Sequence, residues 1–515
     1  MKGPEPVAGW LTTGRREGAV RGLGIPDGAS GGTTTPSVDR GVVVPMKPGK
    51  PEGGKGARMS DAAASADANP AEEVPVGAVP AAEADRLWLA DRTVWTERML
   101  EALRRGGPDG GRWYWLHDKV FAERTLRRGY ELVARNGGAP GVDGVTVATF
   151  GERLDEEIAR IVESWRLERY QSQAIRRVWI PKPGSDEERP LGIPTVRDRV
   201  VQAALKLVLE PIFEMDFHTS SHGFRPGRKA QDALGVVLRH LHAGDVWVVD
   251  ADLKRCFDTI PHGPLLRAVH RRVTDRRILG LIEQFLKAGI MEEGRITEPD
   301  GGTPQGGVIS PLLANIYLND LDHVMAGKGR TMVRYADDFV ILCRSAAEAE
   351  AALAEVRAWT VQAGLQLHPA KTRVVDLGQP GNFIDFLGYR LQRHEDTTTG
   401  RSRILRLVRP KSLAGISEKI RGRTKRTSGK GLSEIIGGLN QILRGWFTYF
   451  RTAHWTIHHR LDQTTRRRLR AILAKRRKCQ NWGGGRGHNR WPNAFFAKMG
   501  LFSLEEAHRG HLQSC

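Results

Sequence analysis

Met332-Val-Arg-Tyr-Ala-Asp-Asp-Phe-Val-Ile-Leu342 is apolar at both ends and acidic in the middle. That pattern suits a β-hairpin that carries carboxylates at its turn. Asp337 and Asp338 are consecutive acids, and their repulsion in a half-buried site is costly unless a cation compensates it. Hard carboxylate oxygens suit Mg²⁺. A second acidic strand lies upstream: in Val246-Trp-Val-Val-Asp-Ala-Asp252, strand alternation puts Val246, Val248, Asp250 and Asp252 on one face. Carboxylates from two neighbouring strands can bridge two metal ions about 3.5–4 Å apart, the arrangement that activates an attacking 3′-hydroxyl and stabilises leaving pyrophosphate. A bare Asp-Asp pair is more often an ordinary turn cap, so the pair alone favours that reading.

The rest of the chain narrows the classes. Its 515 residues allow several domains, and the formal net charge is +20. A basic excess fits a polyanion partner or merely a solvated arginine-rich surface. Its distribution favours the former: residues 401–480 hold 22 Lys or Arg against three acids, a net +19 in one block. The four cysteines, Cys256, Cys343, Cys479 and Cys515, form no C-x-x-C pair, which argues against a zinc ribbon and fits a reducing cytosol. No apolar run approaches the roughly 20 residues of a membrane helix, and the N-terminus lacks the apolar stretch of a signal peptide. Residues 1–85, rich in Gly, Pro, Ala, Ser and Thr without helical or strand period, read as a disordered leader. From Arg86, RLWLADRTVWTERMLEALRRG has helical spacing; VWIPKPG and RPLGIP read as edge strands or loops, and VQAALKLVLEPIFEMDF as a buried helix.

Tyr335-Ala-Asp-Asp338 matches the YxDD signature of reverse transcriptases, and Asp252-Leu-Lys-Arg-Cys-Phe257-Asp258 matches their Asp followed five residues later by an aromatic. Gly302-Thr-Pro-Gln305-Gly-Gly-Val-Ile-Ser-Pro-Leu resembles the motif that precedes YxDD; Gly364-Leu-Gln-Leu-His-Pro-Ala-Lys371-Thr and Phe386-Leu-Gly388-Tyr389 resemble the two that follow. Gly138-Ala-Pro-Gly-Val-Asp-Gly144, Ile180-Pro-Lys182-Pro, Arg189-Pro-Leu-Gly-Ile-Pro194 and His222-Gly-Phe-Arg-Pro-Gly-Arg228 resemble group II intron-encoded proteins rather than retroviral enzymes. Leu439-Asn-Gln-Ile-Leu-Arg-Gly-Trp446-Phe-Thr-Tyr449-Phe-Arg451 resembles the maturase, or X, segment of that family.

The resemblance implies an α+β right-hand polymerase: fingers over 86–240, a palm with an antiparallel sheet over 241–395, a basic helical thumb and maturase region over 396–480, and a short tail over 481–515. It implies that Asp252, Asp337 and Asp338, with the carbonyl of Leu253, hold two Mg²⁺ ions. Asp250 shares the strand face, and the spacing to Phe257 favours Asp252. Phe257 corresponds to the aromatic gate under the incoming sugar, or else is a core ring between strands; an apolar face there offers a 2′-hydroxyl no partner. Lys182 and Arg189 correspond to triphosphate-clamping cations, and Gln305 to a residue touching the nucleotide sugar, with Gly306-Gly307 allowing close backbone approach. Lys371 steadies the hairpin or the phosphates, Tyr335 packs near the primer end, and Asp258 is a structural hydrogen-bonding residue.

Ile435–Phe450 and Gln463–Lys478 read as helices, the second with Leu469, Ile472 and Leu473 on one face and cations elsewhere; Trp446, Tyr449 and Phe450 read as core. Ser428-Gly-Lys430 superficially suggests a phosphate loop, but Gly431 stands where Ser or Thr would hold Mg²⁺. The partners implied are group II intron RNA, an RNA template with a DNA primer, dNTPs and target DNA, in the bacterial cytoplasm at the nucleoid and without a membrane. The tail is too short, and too poor in Cys pairs, for the endonuclease domain of many relatives. Two rivals remain: another reverse transcriptase lineage, such as a retron or a diversity-generating or defence enzyme, and an RNA-binding splicing cofactor with a vestigial polymerase site.

Overall fold

The computed structural model describes residues 90–107, 111–181, 188–395, 402–478 and 486–513. All lie within the unit Met46–Cys515, and the expected leader over 1–85 falls outside the described residues. The fold is mixed α and β. The strands are β1 Ile175–Pro181, β2 Glu188–Ile193, β3 Trp247–Asp252, β4 Ile290–Glu292, β5 Arg295–Thr297, β6 Thr331–Tyr335, β7 Asp338–Cys343, β8 Arg373–Asp376, β9 Phe383–Phe386, β10 Tyr389–Glu395 and β11 Ser402–Val408. They form sheets of order β2-β1-β4-β5, β6-β7-β3-β8 and β11-β10-β9.

The sheet β6-β7-β3-β8 is antiparallel throughout and buried on both faces. Strand alternation divides its side chains between two cores. Val249, Ala251, Phe339 and Ile341 enter the larger core with the helices Val196–Glu214 and Ser310–Gly327. Val248, Val333, Val340 and Leu342 enter a second core with Phe386, Tyr389 and Phe450. This two-sided burial explains the unbroken apolar run Phe339-Val-Ile-Leu-Cys343.

Val178–Pro181 of the first run and Arg189–Ile193 of the second lie on the antiparallel pair β1 and β2, with β1 interior to its sheet and β2 at an edge. The expected buried helix is present as Val196–Glu214, capped by Thr195 Oγ1 accepting from the Asp198 amide at 3.2 Å. Helical structure in the first described segment starts only at Glu97, after the Thr96 cap, and Arg92–Val94 of the expected helix is turn. β10 and β11 pair from Tyr389↔Val408 to Glu395↔Ser402, while residues 396–401 between them lie outside the described residues. The basic region is helical: Pro410–Arg423, Leu432–Phe450 and Trp455–Arg476 surround a third core that includes Leu439, Leu469 and Phe496.

Candidate active site

The YADD run is a two-residue hairpin. Tyr335 pairs with Asp338, leaving Ala336 and Asp337 as the loop, and Ala336 has φ 61°. A positive φ at the first loop residue belongs to the primed turns whose twist matches a hairpin. β7 and β3 run antiparallel with Asp252 directly opposite Asp338, and the Leu253 amide donates to the Asp337 carbonyl at 3.3 Å. The sheet therefore brings all three sequence-predicted acids to one end, with Asp250 two residues back on the Asp252 face.

Burial pushes the Asp338 carboxyl up to about 8, with Asp250, Asp252 and Asp337 adding repulsion. Asp337 is also raised, chiefly by burial and then by Asp252, against its own backbone amide and Lys371. Asp250 is raised by burial and opposed by Arg373, whose Nε lies 3.3 Å from Oδ2. Lys371 Nζ donates to Asp252 Oδ2 at 2.6 Å, so this cation reaches a carboxylate of the site.

Among the described residues no three carboxylate, His or Cys side chains form a ready-made metal cage. Mg²⁺ in nucleotide sites needs less than that: one or two carboxylates, with substrate phosphates and water completing the shell. Asp337 and Asp338, with Asp252 and the Leu253 backbone beside them, fit such a cation, because burial and neighbouring carboxylates both disfavour the charge of Asp337 and Asp338 and a divalent ion reverses both.

Phe257 lies on the short helix Cys256–Thr259 that follows β3, and Gln305 on the loop packed against it. The Thr303 amide donates to the Phe257 carbonyl at 2.5 Å, and Gln305 Nε2 to Asp258 Oδ1 at 3.1 Å. Gln305 is thus tied to Asp258, and its carbonyl accepts from the Gly192 amide at 2.6 Å. The close approach expected at Gly306 is made to protein: with φ 109°, a Cβ there would collide with the Gly192 carbonyl oxygen of β2. Arg189 is exposed on β2 opposite Ile180, and Lys182 lies outside the described residues.

Sequence reading missed Arg334. It is fully buried and donates from Nε to Asp322 Oδ1 at 2.8 Å, from Nη1 to Asn315 Oδ1 and the Ala336 carbonyl at 3.0 Å each, and from Nη2 to Ser221 Oγ at 2.8 Å. A second contact joins Nη2 to Asp322 Oδ2. One guanidinium thus anchors the catalytic-type turn to the helix Ser310–Gly327 and to the His222-Gly-Phe-Arg loop. The available signal was a cation at an apolar position of a strand. Gly223 was also missed: a Cβ on it would collide with the Ala336 amide nitrogen, so this loop packs directly against the hairpin.

In the basic block, Arg468 links two helices, donating to Thr424 Oγ1 at 2.5 Å and to the Thr424 carbonyl at 3.1 Å. Its pKa is lowered by burial and then by Arg421, Arg426 and Arg467. Those three arginines are exposed. Not every cation of Trp455–Arg476 faces outward: Arg470 is buried and bonds the Trp491 carbonyl at 2.9 Å and Asn493 Oδ1 at 2.7 Å. Phe450 is core, whereas Tyr449 is 37% exposed and donates to the Leu387 carbonyl at 2.9 Å. Lys430, in the rejected phosphate-loop run, pairs with Glu434 at 2.5 Å.

Residues 180–391 match the model of the reverse transcriptase (RNA-dependent DNA polymerase) domain, so the chain carries an RNA-dependent DNA polymerase domain. Residues 413–491 match the group II intron maturase-specific domain. The chain is 37% identical to Protein YkfC of Escherichia coli (strain K12) over 303 residues, covering 51% of this chain and 78% of YkfC. It is 41% identical over 193 residues to the group II intron-encoded protein LtrA of Lactococcus lactis subsp. cremoris, 38% of this chain but only 32% of LtrA. A third relative, nuclear intron maturase 2, mitochondrial, of Arabidopsis thaliana, is 29% identical over 252 residues, 41% of this chain and 33% of the relative. The chain belongs to the group II intron reverse transcriptase/maturase family. No helix among the described residues is long and apolar enough to cross a membrane.

Proposed function

We propose that this chain copies intron RNA into DNA and assists group II intron splicing as a maturase, so that it serves intron mobility. The observation that carries the polymerase half is the register of Asp252 against Asp338, with Asp337 in the adjoining turn. When bound, two Mg²⁺ ions would activate the primer 3′-hydroxyl and stabilise the leaving pyrophosphate. Asp252, Asp337 and Asp338, with the Leu253 carbonyl, would hold them. Phe257 lies under the incoming sugar and disfavours a 2′-hydroxyl. Lys182, Arg189 and Lys371 take the triphosphate, and Gln305, oriented by Asp258, takes the sugar. In this reading 86–240 are fingers, 241–395 palm, 396–480 thumb and maturase region, and 481–515 a tail. Residues 1–85 are a leader.

The maturase half is supported by the exposed Arg421, Arg426 and Arg467, whose repulsion of Arg468 a phosphate backbone would relieve. The partners are then intron RNA, an RNA template with its DNA primer, dNTPs and target DNA, in the bacterial cytoplasm at the nucleoid. The test is dTTP incorporation on poly(rA)/oligo(dT) with Mg²⁺, alongside a splicing assay of the flanking intron. Wild type should incorporate dTTP and Asp337→Ala should not. Equal, negligible incorporation by both, with splicing promoted by both, would establish a splicing cofactor without polymerase activity.

A further inference from the structure

Phe224 sits in a backbone conformation that a phenylalanine rarely adopts. Its φ is 59°, in the left-handed region, yet its side chain is 47% exposed. The strain therefore does not serve to bury the ring. What it does is set the ring edge-to-face with Phe257, centroids 6.1 Å apart and planes at 78°.

The residues around Phe224 are fixed on both sides. The His222 amide donates to the Arg334 carbonyl at 2.8 Å, and Asn315 Nδ2 to the Gly223 carbonyl at 2.8 Å. Gly223 lies too close to the Ala336 amide nitrogen to carry a Cβ. Beyond Phe224, the buried Arg225 guanidinium binds the Glu214 carboxylate and donates to the His218 carbonyl at 2.7 Å and the Ser221 carbonyl at 2.8 Å. Strain persists where the surroundings over-determine it, and such places cluster at functional sites. The same anchors hold the YADD turn, so Phe224 and the turn are placed by one rigid unit.

We infer that Phe224 is a positioning residue for sugar selection: its ring holds the plane of Phe257, so that the gate stays under the incoming nucleotide instead of rotating aside. This rests on the reading of Phe257 as the sugar gate. An aromatic pair of this geometry contributes an amount equivalent to about 3–10-fold in a rate ratio.

The test compares kcat/KM for dTTP and UTP on poly(rA)/oligo(dT) with Mg²⁺. The variants are Phe224→Asn, Phe224→Tyr, Phe257→Ala and the double variant Phe224→Asn/Phe257→Ala. Asn tolerates the left-handed backbone, so Phe224→Asn removes the ring without adding strain; a thermal melt verifies folding. Phe224→Asn should raise relative UTP use about 3–10-fold, Phe224→Tyr should restore the wild-type ratio, and the double variant should match Phe257→Ala alone, because the two rings act as one. An unchanged ratio in a folded Phe224→Asn, while Phe257→Ala relaxes selection, would overturn this inference and leave the gate reading standing. Additive effects in the double variant, or a higher KM for primer–template with the ratio unmoved, would also overturn it. If Phe257→Ala leaves the ratio unmoved as well, the gate reading falls first.

Discussion

The acidic end of the β6-β7-β3-β8 sheet and the junction of the helices Pro410–Arg423 and Trp455–Arg476 both crowd like charges, with opposite signs and by opposite means. At the sheet, carboxylates are half-buried, and burial is the largest influence on Asp337 and Asp338. They sit on strands in fixed register and on a turn anchored by the buried Arg334. At the helical junction Arg468 is drawn inward, while Arg421, Arg426 and Arg467 stand in solvent. A rigid, desolvated cluster suits a small divalent ion that must be placed to a fraction of an ångström. An exposed, screened cluster suits a long polyanion that can slide and adjust.

The contrast can be broken from either side. The largest effect is expected from Asp252→Asn. Losing a carboxylate proposed to hold the metal that stabilises the transition state is worth several kcal/mol, so single-turnover dTTP incorporation should fall by about 10³-fold. RNA binding, measured by filter retention, should change less than about twofold, since exposed phosphate contacts dominate it. A parallel loss of RNA affinity would show that the two regions do not divide the work.

Next comes the scaffold of the acidic end. Arg334→Met leaves the buried Asp322 unpaired, and breaking such a pair by one partner costs about 3–5 kcal/mol. Urea unfolding should report that loss. Arg334→Met with Asp322→Leu should recover much of it; no recovery would mean that the bonds to Ala336 and Ser221, rather than the buried charge, carry the stability.

On the basic side, changing Arg421, Arg426 and Arg467 together to Gln should weaken RNA binding and reduce the slope of log K against log salt by about 2–3. An unchanged slope would place the RNA elsewhere. A smaller effect concerns pH. Burial lowers His222 to about 4, with Arg228 and Arg225 adding to it; burial lowers His458 to about 4, with His508 adding and the Ala453 backbone opposing. Both pKa values lie below the ordinary value of about 6.5, so the unfolded chain binds more protons. Their stabilisation is full above about pH 6.5 and is lost as pH falls through about 4. Melting temperature should therefore drop between pH 7 and 5, and His458→Phe should shallow that drop; an identical slope would remove His458 as a contributor.

The two regions also differ in how legible they were in the sequence. The hairpin, the strand bearing Asp252 and the basic helices follow from local period and charge, and each motif is contiguous. Arg334 is different: its partner Ser221 lies 113 residues away, and no local pattern announces that bond. The same holds for Lys371 on Asp252, 119 residues apart. Gly306 was legible as a glycine needed for close approach, but its neighbour, Gly192, was set by a strand pairing that the sequence did not display. The pairing of β10 with β11, which puts Tyr389 and Val408 in one core, likewise joins separated residues that no contiguous motif links. Phe224 looked like one letter of a motif, and only its backbone and its neighbour give it meaning.

The most direct measurement is Mn²⁺ binding followed by electron paramagnetic resonance, on protein holding primer–template and a non-reacting dNTP analogue. Wild type should bind a spin-coupled pair of ions, and Asp252→Asn and Asp337→Asn should each abolish the coupling. Unaltered coupled binding in both variants would contradict the assignment of these two side chains to a shared metal pair.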